Sequence, residues 1–164
     1  MNYLSDKICT PEEAAELIQN QEVVGVSGFT LSGYPKLVPK ALAKKAERLH
    51  QAGIPFAITL YSGASTGESC DGLLALANAV SERAPYQSNA TLRKKINEGT
   101  IRYLDEHLAL MGVKIREGSL RAPTTVIIEA SHISENGKIY LSTSGGNSVA
   151  FLERAENVII ELNS

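Results

Sequence analysis

The segment from residue 23 to residue 49 most constrains what this chain can fold into. The apolar run Val23–Val26 is typical of a buried strand, because it is rich in β-branched residues. The next residues, 27–36, include two glycines, two serines and a threonine, and residues 38–49 have the pattern of a helix with proline in its first turn. In open α/β sheets, ligands bind at the carboxyl ends of strands, where helix N-termini offer free N–H groups. We therefore predict that loop 27–36 contacts a ligand.

Two further loops share this composition. Residues 62–67 follow a predicted strand at 56–61, and residues 142–148 precede a predicted helix at 149–155. Loops at the carboxyl ends of parallel strands lie at one edge of the sheet, so the three loops are predicted to meet there. Their hydroxyl and N–H groups suit an anion or a carboxylate, and the competing interpretation is that they only form turns. None of the loops matches a nucleotide-binding fingerprint.

Predicted strands and helices alternate along the chain, which indicates an α/β fold with a mainly parallel open sheet flanked by helices. The run Thr10-Pro11-Glu12-Glu13 predicts a capping box and a helix to about residue 20. Residues 83–88 are predicted to be a loop, and residues 107–112 fit either a helix or a strand. The remaining predictions are helices at 73–79 and from Ser88 or Asn89 to 96, strands at 101–104, 126–130 and 157–162, and a strand at 138–141 after the Asn136-Gly137 turn.

Composition excludes several classes of protein. The 164 residues suffice for one domain, and 16 basic against 18 acidic residues give a formal charge of −2, so no nucleic-acid partner is predicted. No apolar run approaches the roughly 18 residues of a membrane span, and residues 1–7 lack a signal-peptide core, so we expect a cytoplasmic protein without a membrane partner. The two cysteines, Cys9 and Cys70, make neither a disulfide framework nor a zinc-ligand set.

Three single residues have chemistry that needs weighing. Glu129 ends an apolar strand, where a catalytic acid often lies, but a buried and hydrogen-bonded structural carboxylate is the favoured interpretation. Cys70 lies at a predicted helix start that would favour a thiolate, yet it has no evident histidine partner and is predicted to be structural. His107 follows two carboxylates without a second ligand cluster, so the sequence predicts no metal site.

Four segments closely resemble the N-terminal part of the acetyl-CoA hydrolase/transferase family of class I CoA-transferases, and most of all its succinyl-CoA:acetate CoA-transferases. They are 28–30 with 33–36, Gly63-Ala64-Ser65-Thr66, Arg83-Ala84-Pro85-Tyr86-Gln87-Ser88, and a later series of 97–99, 105–108, 129–131 and 146–148. The resemblance covers essentially the whole chain and is weakest at 111–123. It implies the CoA-transferase half fold, which is also related to sugar-phosphate isomerases.

The resemblance implies a mechanism in which a glutamate attacks an acyl-CoA and later holds CoA as a thioester. The substrates would be a coenzyme A thioester and a small carboxylate, with no covalently bound cofactor. No glutamate in this chain matches the family nucleophile, so no catalytic residue is predicted within it. By the same resemblance, Ser65 is the serine of the carboxylate pocket. Ser88 replaces a threonine found in relatives. The residues expected to line the same site are Gly28, Phe29, Thr30 and Gly33.

Family members are much longer and have two similar α/β halves. Residues 1–164 therefore correspond to an N-terminal domain, and the half with the catalytic glutamate is expected in further protein after Ser164 or in a partner subunit. This chain alone is predicted to be inactive, and we expect a homo-oligomer. The alternatives are a non-catalytic module that binds a carboxylate or stabilises an assembly, and an enzyme similar to sugar-phosphate isomerases.

Overall fold

Seven strands form one sheet in the part of the chain that the structure, a computed structural model, describes, which is residues 4–163. The expectations about the first three residues and about Ser164 lie outside it. The strands are β1 (Val23–Val26), β2 (Ile58–Tyr61), β3 (Val80–Ala84), β4 (Arg102–Tyr103), β5 (Thr125–Ile133), β6 (Ile139–Leu141) and β7 (Asn157–Leu162). The helices are α1 (Pro11–Glu16), α2 (Leu37–Gln51), α3 (Leu73–Leu76), α4 (Ala90–Asn97), α5 (Leu108–Glu117) and α6 (Ser148–Leu152), with a 3-10 turn at Ser5–Lys7 and a π-helical turn at Glu68–Gly72.

The sheet is mainly parallel, as predicted. Its strands run in the order β4-β3-β2-β1-β5, and β7 pairs with β5 in parallel. Every residue of β1 and of β2 is buried, as expected for strands covered on both faces. Side chains alternate between two cores: Ile127 packs with helices α1 to α4, and its neighbours Val126 and Ile128 pack with α5 and α6.

The helix starts predicted from capping residues are confirmed. The Thr10 hydroxyl accepts the N–H of Glu13 at 3.2 Å, and the Glu13 carboxylate accepts the N–H of Thr10 at 2.8 Å, which completes the capping box. At α4 the side chain of Asn89, rather than that of Ser88, accepts the N–H of Leu92. Local hydrogen bonding therefore determines where these helices begin.

The sequence prediction missed one strand and left one region open, and the structure resolves both. The loop predicted at 83–88 begins only after β3, whose last residues are Arg83 and Ala84. Charged residues obscured this strand, and the sheet accommodates Arg83 because its guanidinium pairs with a buried aspartate. The region left open at 107–112 is the start of α5, which has no side-chain hydrogen bond at its N-cap and ends at Gly118 in the left-handed region.

The β5–β6 hairpin brings the third loop back to the sheet edge. β5 pairs with β1 over 125–127 and continues beyond it to pair antiparallel with β6 over 130–133. The Ile127 carbonyl accepts the N–H of Ser27, and the Glu129 carbonyl accepts the N–H of Ser142, both on one edge of β5. Loop 142–148 thus lies beside loop 27–36, although it follows an antiparallel strand.

Candidate functional site at the carboxyl edge of the sheet

The three glycine- and hydroxyl-rich loops meet, as predicted. A Cβ placed on Gly63 would lie 2.6 Å from the Gly146 Cα and closer still to the Gly28 carbonyl oxygen. A Cβ on Gly33 would lie 2.7 Å from the backbone nitrogen of Ser144. These distances leave no room for a side chain, so glycine is required for the loops to approach one another.

The tip of loop 27–36 is a tight turn that presents apolar side chains outward. The Phe29 N–H donates to the Ser32 carbonyl at 2.9 Å, and the Ser32 N–H donates back to Phe29 at 3.2 Å. Between them Thr30 has a φ of 57°, which is rare for a β-branched residue. Phe29 is 44% exposed and Leu31 is 73% exposed. Backbone strain of this kind persists only where the surrounding structure maintains it, and it is often found at functional sites.

Glu129 fastens the base of this loop to β5. Its side chain is 5% exposed, forms an ion pair with Lys36 and accepts the Ser142 hydroxyl at 2.6 Å. Burial raises the pKa of this carboxyl, but the hydrogen bonds from Lys36 and Ser142 and the charge of Lys36 outweigh burial, so the pKa lies below its ordinary value of 4.5. The favoured interpretation of Glu129 as a buried structural carboxylate is confirmed.

Glu161 occupies the N-terminus of α2. Its carboxylate accepts the backbone N–H groups of Lys36 at 2.6 Å, Leu37 at 2.8 Å and Val38 at 3.0 Å. A carboxylate there satisfies the unpaired donors and the positive end of the helix dipole. The expectation that this helix offers free N–H groups to a ligand is therefore wrong.

A buried ion pair holds the second loop. Asp71 and Arg83 have fully buried side chains, with the Arg83 Nε 3.0 Å from the Asp71 Oδ1. The same guanidinium donates to the Ser62 hydroxyl at 2.7 Å and to the Ala64 carbonyl at 3.0 Å, and Asp71 accepts the N–H of Thr66 at 2.8 Å. The pair thereby fixes the backbone on both sides of Ser65.

Ser65 and Ser88 are brought together. The Ser65 hydroxyl accepts the Ser88 hydroxyl at 2.8 Å and the Ser88 N–H at 3.0 Å, and donates to the Thr66 carbonyl at 3.2 Å. Ser65 is buried and Ser88 is exposed. Nearby Cys70 is fully buried, and burial next to Asp71 raises the pKa of its thiol to about 12, so its predicted structural role is confirmed.

A cleft of about 420 Å³ opens where the loops converge. Two of its residues, Gly63 and Gly146, contribute backbone, and Phe29 forms one wall. The others come from the start of α5 and from the third loop: His107, Leu108, Ala109 and Asn147. The cleft is mostly apolar, with polar groups at a few positions, as in many small-molecule sites.

The six residues expected at the site take different positions. Phe29 lines the cleft, and Thr30 lies at the exposed tip of its turn. Ser65 lies in the same loop as Gly63, and its hydroxyl binds that of Ser88. Gly28 and Gly33 are buried and pack against the neighbouring loops. Sequence patterns assign no binding role to His107, Leu108 or Ala109. The start of α5, which places these residues in the cleft, could not be predicted because no side chain caps it.

The fold and this edge define an α/β protein with a mostly apolar cleft at the carboxyl ends of its strands. The model of the acetyl-CoA hydrolase/transferase N-terminal domain matches residues 2–164. The chain therefore belongs to the acetyl-CoA hydrolase/transferase family and corresponds to its N-terminal domain. No helix among the described residues is long and apolar enough to span a bilayer.

Several curated relatives are enzymes named for CoA chemistry. The chain is 46% identical over 160 residues to the succinyl-CoA:acetate CoA-transferase of Clostridium kluyveri, covering 98% of this chain and 29% of the relative. It is 43% identical over 154 residues to the propanoyl-CoA:succinate CoA transferase of Escherichia coli, covering 94% and 31%. It is 34% identical over 164 residues to the acetyl-CoA hydrolase of Neurospora crassa, covering 96% and 31%. The chain thus spans about three tenths of the length of these relatives.

Solved structures share the fold. Glutaconate coenzyme A-transferase from Acidaminococcus fermentans matches with a TM-score of 0.65 and 15% identity, over 94% of this chain and 68% of that one. An acyl-CoA transferase from Escherichia coli O157:H7 matches with a TM-score of 0.71 and 11% identity, over 96% and 43%. At these identities the likeness concerns architecture alone.

Proposed function

We propose that this chain is the carboxylate-binding domain of an acyl-CoA:carboxylate CoA-transferase or acetyl-CoA hydrolase. The observation that carries the proposal is the contact between the Ser65 and Ser88 hydroxyls. Ser65 is two residues from Gly63, which lines the cleft, and the buried Asp71–Arg83 pair fixes the backbone on both sides of Ser65. Membership of the family supplies the reaction class. Ser65 is the first residue that we assign to the pocket, and Ser88 is the second.

Neutral donors suit a substrate that must be exchanged during the reaction. The Ser65 hydroxyl donates to the Thr66 carbonyl over a long 3.2 Å, so this bond is the one that a carboxylate oxygen would replace. The Ser88 hydroxyl would turn toward the same oxygen. Neither serine carries a charge, so the carboxylate would be oriented without being bound too tightly to leave.

The chemical steps would use a glutamate outside this chain. Its carboxylate attacks the acyl-CoA carbonyl, expels CoA thiolate and forms an acyl anhydride. The thiolate then attacks the glutamyl carbonyl, which releases the carboxylate product and leaves a glutamyl-CoA thioester. An incoming carboxylate reverses both steps, or water hydrolyses the intermediate. The domain described here would hold and orient the carboxylate and exclude water around it.

The short span supports the proposal that the glutamate lies in another part of a longer chain or in a partner subunit, because relatives are about three times as long. Glu129 does not suit the nucleophile's role, since Lys36 and Ser142 already bind its carboxylate. We propose a homo-oligomer for the complete protein, with β7, an edge strand in the described sheet, as one candidate contact.

The test is CoA transfer from acetyl-CoA or succinyl-CoA by the complete natural protein. We expect Ser65→Ala to lower kcat/KM for the carboxylate by about tenfold to a hundredfold, since a hydrogen bond to a charged group contributes about 1.5–3 kcal/mol. Ser119→Ala, at an exposed serine after α5, is the matched control and should change little. Turnover by the 164-residue chain alone would overturn the proposal that the nucleophilic glutamate lies outside this chain. Carboxylate binding without any turnover by the complete protein would favour the non-catalytic module.

A further inference from the structure

The cleft has one ionisable group among the described residues that line it, the imidazole of His107. Its walls, Phe29, Leu108 and Ala109, are apolar. The other polar side chain in the lining, Asn147, donates from its amide to the Ser62 carbonyl at 3.4 Å. A negatively charged group that enters this cleft therefore meets His107 as the one ionisable side chain in the described lining.

The backbone of His107 is fixed, and its ring is not engaged. The His107 N–H donates to the Glu106 carboxylate at 3.0 Å, and Lys114 holds the same carboxylate at 2.6 Å. The His107 carbonyl accepts the N–H of Leu110 as α5 begins. Among residues 4–163 no group forms a hydrogen bond with the imidazole, so its N–H is available to a ligand.

The loop that carries Ser65 connects this histidine to the hydroxyl pair. Gly63 lines the cleft with His107, and Ser65 follows two positions later, at most about 7 Å along the chain. A linear four-carbon dicarboxylate has two methylene groups between its carboxylates. These methylene groups suit the apolar walls formed by Phe29 and Leu108, and its second carboxylate suits the imidazole of His107.

We propose that His107 is a specificity-determining residue that binds the second, non-reacting carboxylate of a dicarboxylate substrate. This inference rests on the proposed function, in which Ser65 and Ser88 hold the reacting carboxylate, and it names the substrate class. A second carboxylate that packed against Phe29 and Leu108 would lose water molecules bound to it. Without a hydrogen-bond donor to replace them, its burial would be unfavourable. The imidazole supplies that donor. A monocarboxylate such as propionate has no second carboxylate for the imidazole to bind.

The experiment compares succinate with propionate as CoA acceptors for the complete protein. We expect His107→Ala to lower the ratio of kcat/KM for succinate to kcat/KM for propionate by about tenfold to a hundredfold, the loss typical of a hydrogen bond to a charged group. His107→Lys restores a hydrogen-bond donor for the second carboxylate and should retain most of the preference for succinate. His132→Ala, which removes an exposed imidazole from β5, is the matched control and should leave the ratio unchanged.

Two readouts separate failure of this inference from failure of the proposed function. If the wild-type protein transfers CoA but His107→Ala lowers both acceptors equally or neither, the role of His107 is overturned. If the wild-type protein transfers no CoA, calorimetric titration of wild type and His107→Ala with succinate and with propionate tests whether His107 binds the second carboxylate. Selective loss of succinate affinity in His107→Ala sustains dicarboxylate recognition, and equal affinities in the two proteins overturn it.

Discussion

Glu129 and Glu161 lie side by side in register on β5 and β7, and they hold the same segment of chain by different groups. Glu129 binds the Lys36 ammonium, and Glu161 binds the Lys36 backbone N–H together with the next two amides of α2. Two carboxylates on adjacent parallel strands thus fix where loop 27–36 ends and where α2 begins. Neither is available as a nucleophile in this arrangement.

The contribution of Glu129 to stability should depend on pH. Its pKa is lowered in the folded protein, so the stabilisation is complete above its ordinary pKa of 4.5 and is lost as pH falls through the lower folded value. We expect Glu129→Gln to reduce the free energy of unfolding by about 1–3 kcal/mol at pH 7, and the difference from wild type to shrink below pH 4.5. Urea denaturation between pH 7 and pH 3 measures it. A difference that stays constant to pH 3 contradicts the assignment, and the exposed Glu135→Gln provides the control.

Removing the Glu161 carboxylate should weaken the start of α2. Glu161→Ala leaves three amide donors without their acceptor, and loss of a helix N-cap costs about 0.5–2 kcal/mol. Denaturant unfolding should show that loss, and hydrogen exchange should be faster at the amides of Leu37 and Val38. Glu156→Ala, at an exposed position just before β7, should have neither effect. Unchanged exchange in Glu161→Ala would mean that other groups cap the helix.

Breaking the Asp71–Arg83 pair should be the most destabilising of these changes. Asp71→Asn leaves the Arg83 guanidinium fully buried without its counter-charge, which typically costs about 3–5 kcal/mol. Glu153→Gln breaks the pair with Arg116, in which both side chains are about half exposed, and should cost at most about 1 kcal/mol. The two variants are compared by urea unfolding. Equal losses would refute the claim that burial determines the difference.

Gly63→Ala should separate the loops that form the cleft. The new methyl group would collide with the backbone of Gly28 and Gly146, neither of which has a side chain that can move away. Because misplacing catalytic groups by about 1 Å can cost about a hundredfold in rate, we expect a loss of that order in CoA transfer by the complete protein. Gly53→Ala adds backbone strain at a φ of 73° but meets nothing within 4 Å, so it should retain activity. Similar activity in both variants would argue against the convergence of the loops being functional.

Local sequence signals predicted most of the elements but not their boundaries or all their contacts. The apolar runs of β1 and β5 and the capping box at Thr10 depend on neighbouring residues, and the structure confirms them. β3 escaped prediction because its sequence includes Glu82 and Arg83, and charged residues are typical of a strand only when a partner neutralises them in the fold.

The sequence by itself determined the α/β class and the family resemblance, because periodicity, turn residues and motif order are local or sequential properties. It predicted that the three loops meet, but the β5–β6 hairpin of the folded sheet is what brings loop 142–148 to the others. The tertiary structure alone decided that Glu161 caps the N-terminus of α2, where it binds Lys36, a residue 125 positions earlier in the chain. It also decided that His107 lines the cleft beside Gly63. Both contacts join residues that are far apart in the sequence and are brought together only by the folded sheet and helices. A pattern of neighbouring residues does not specify such contacts.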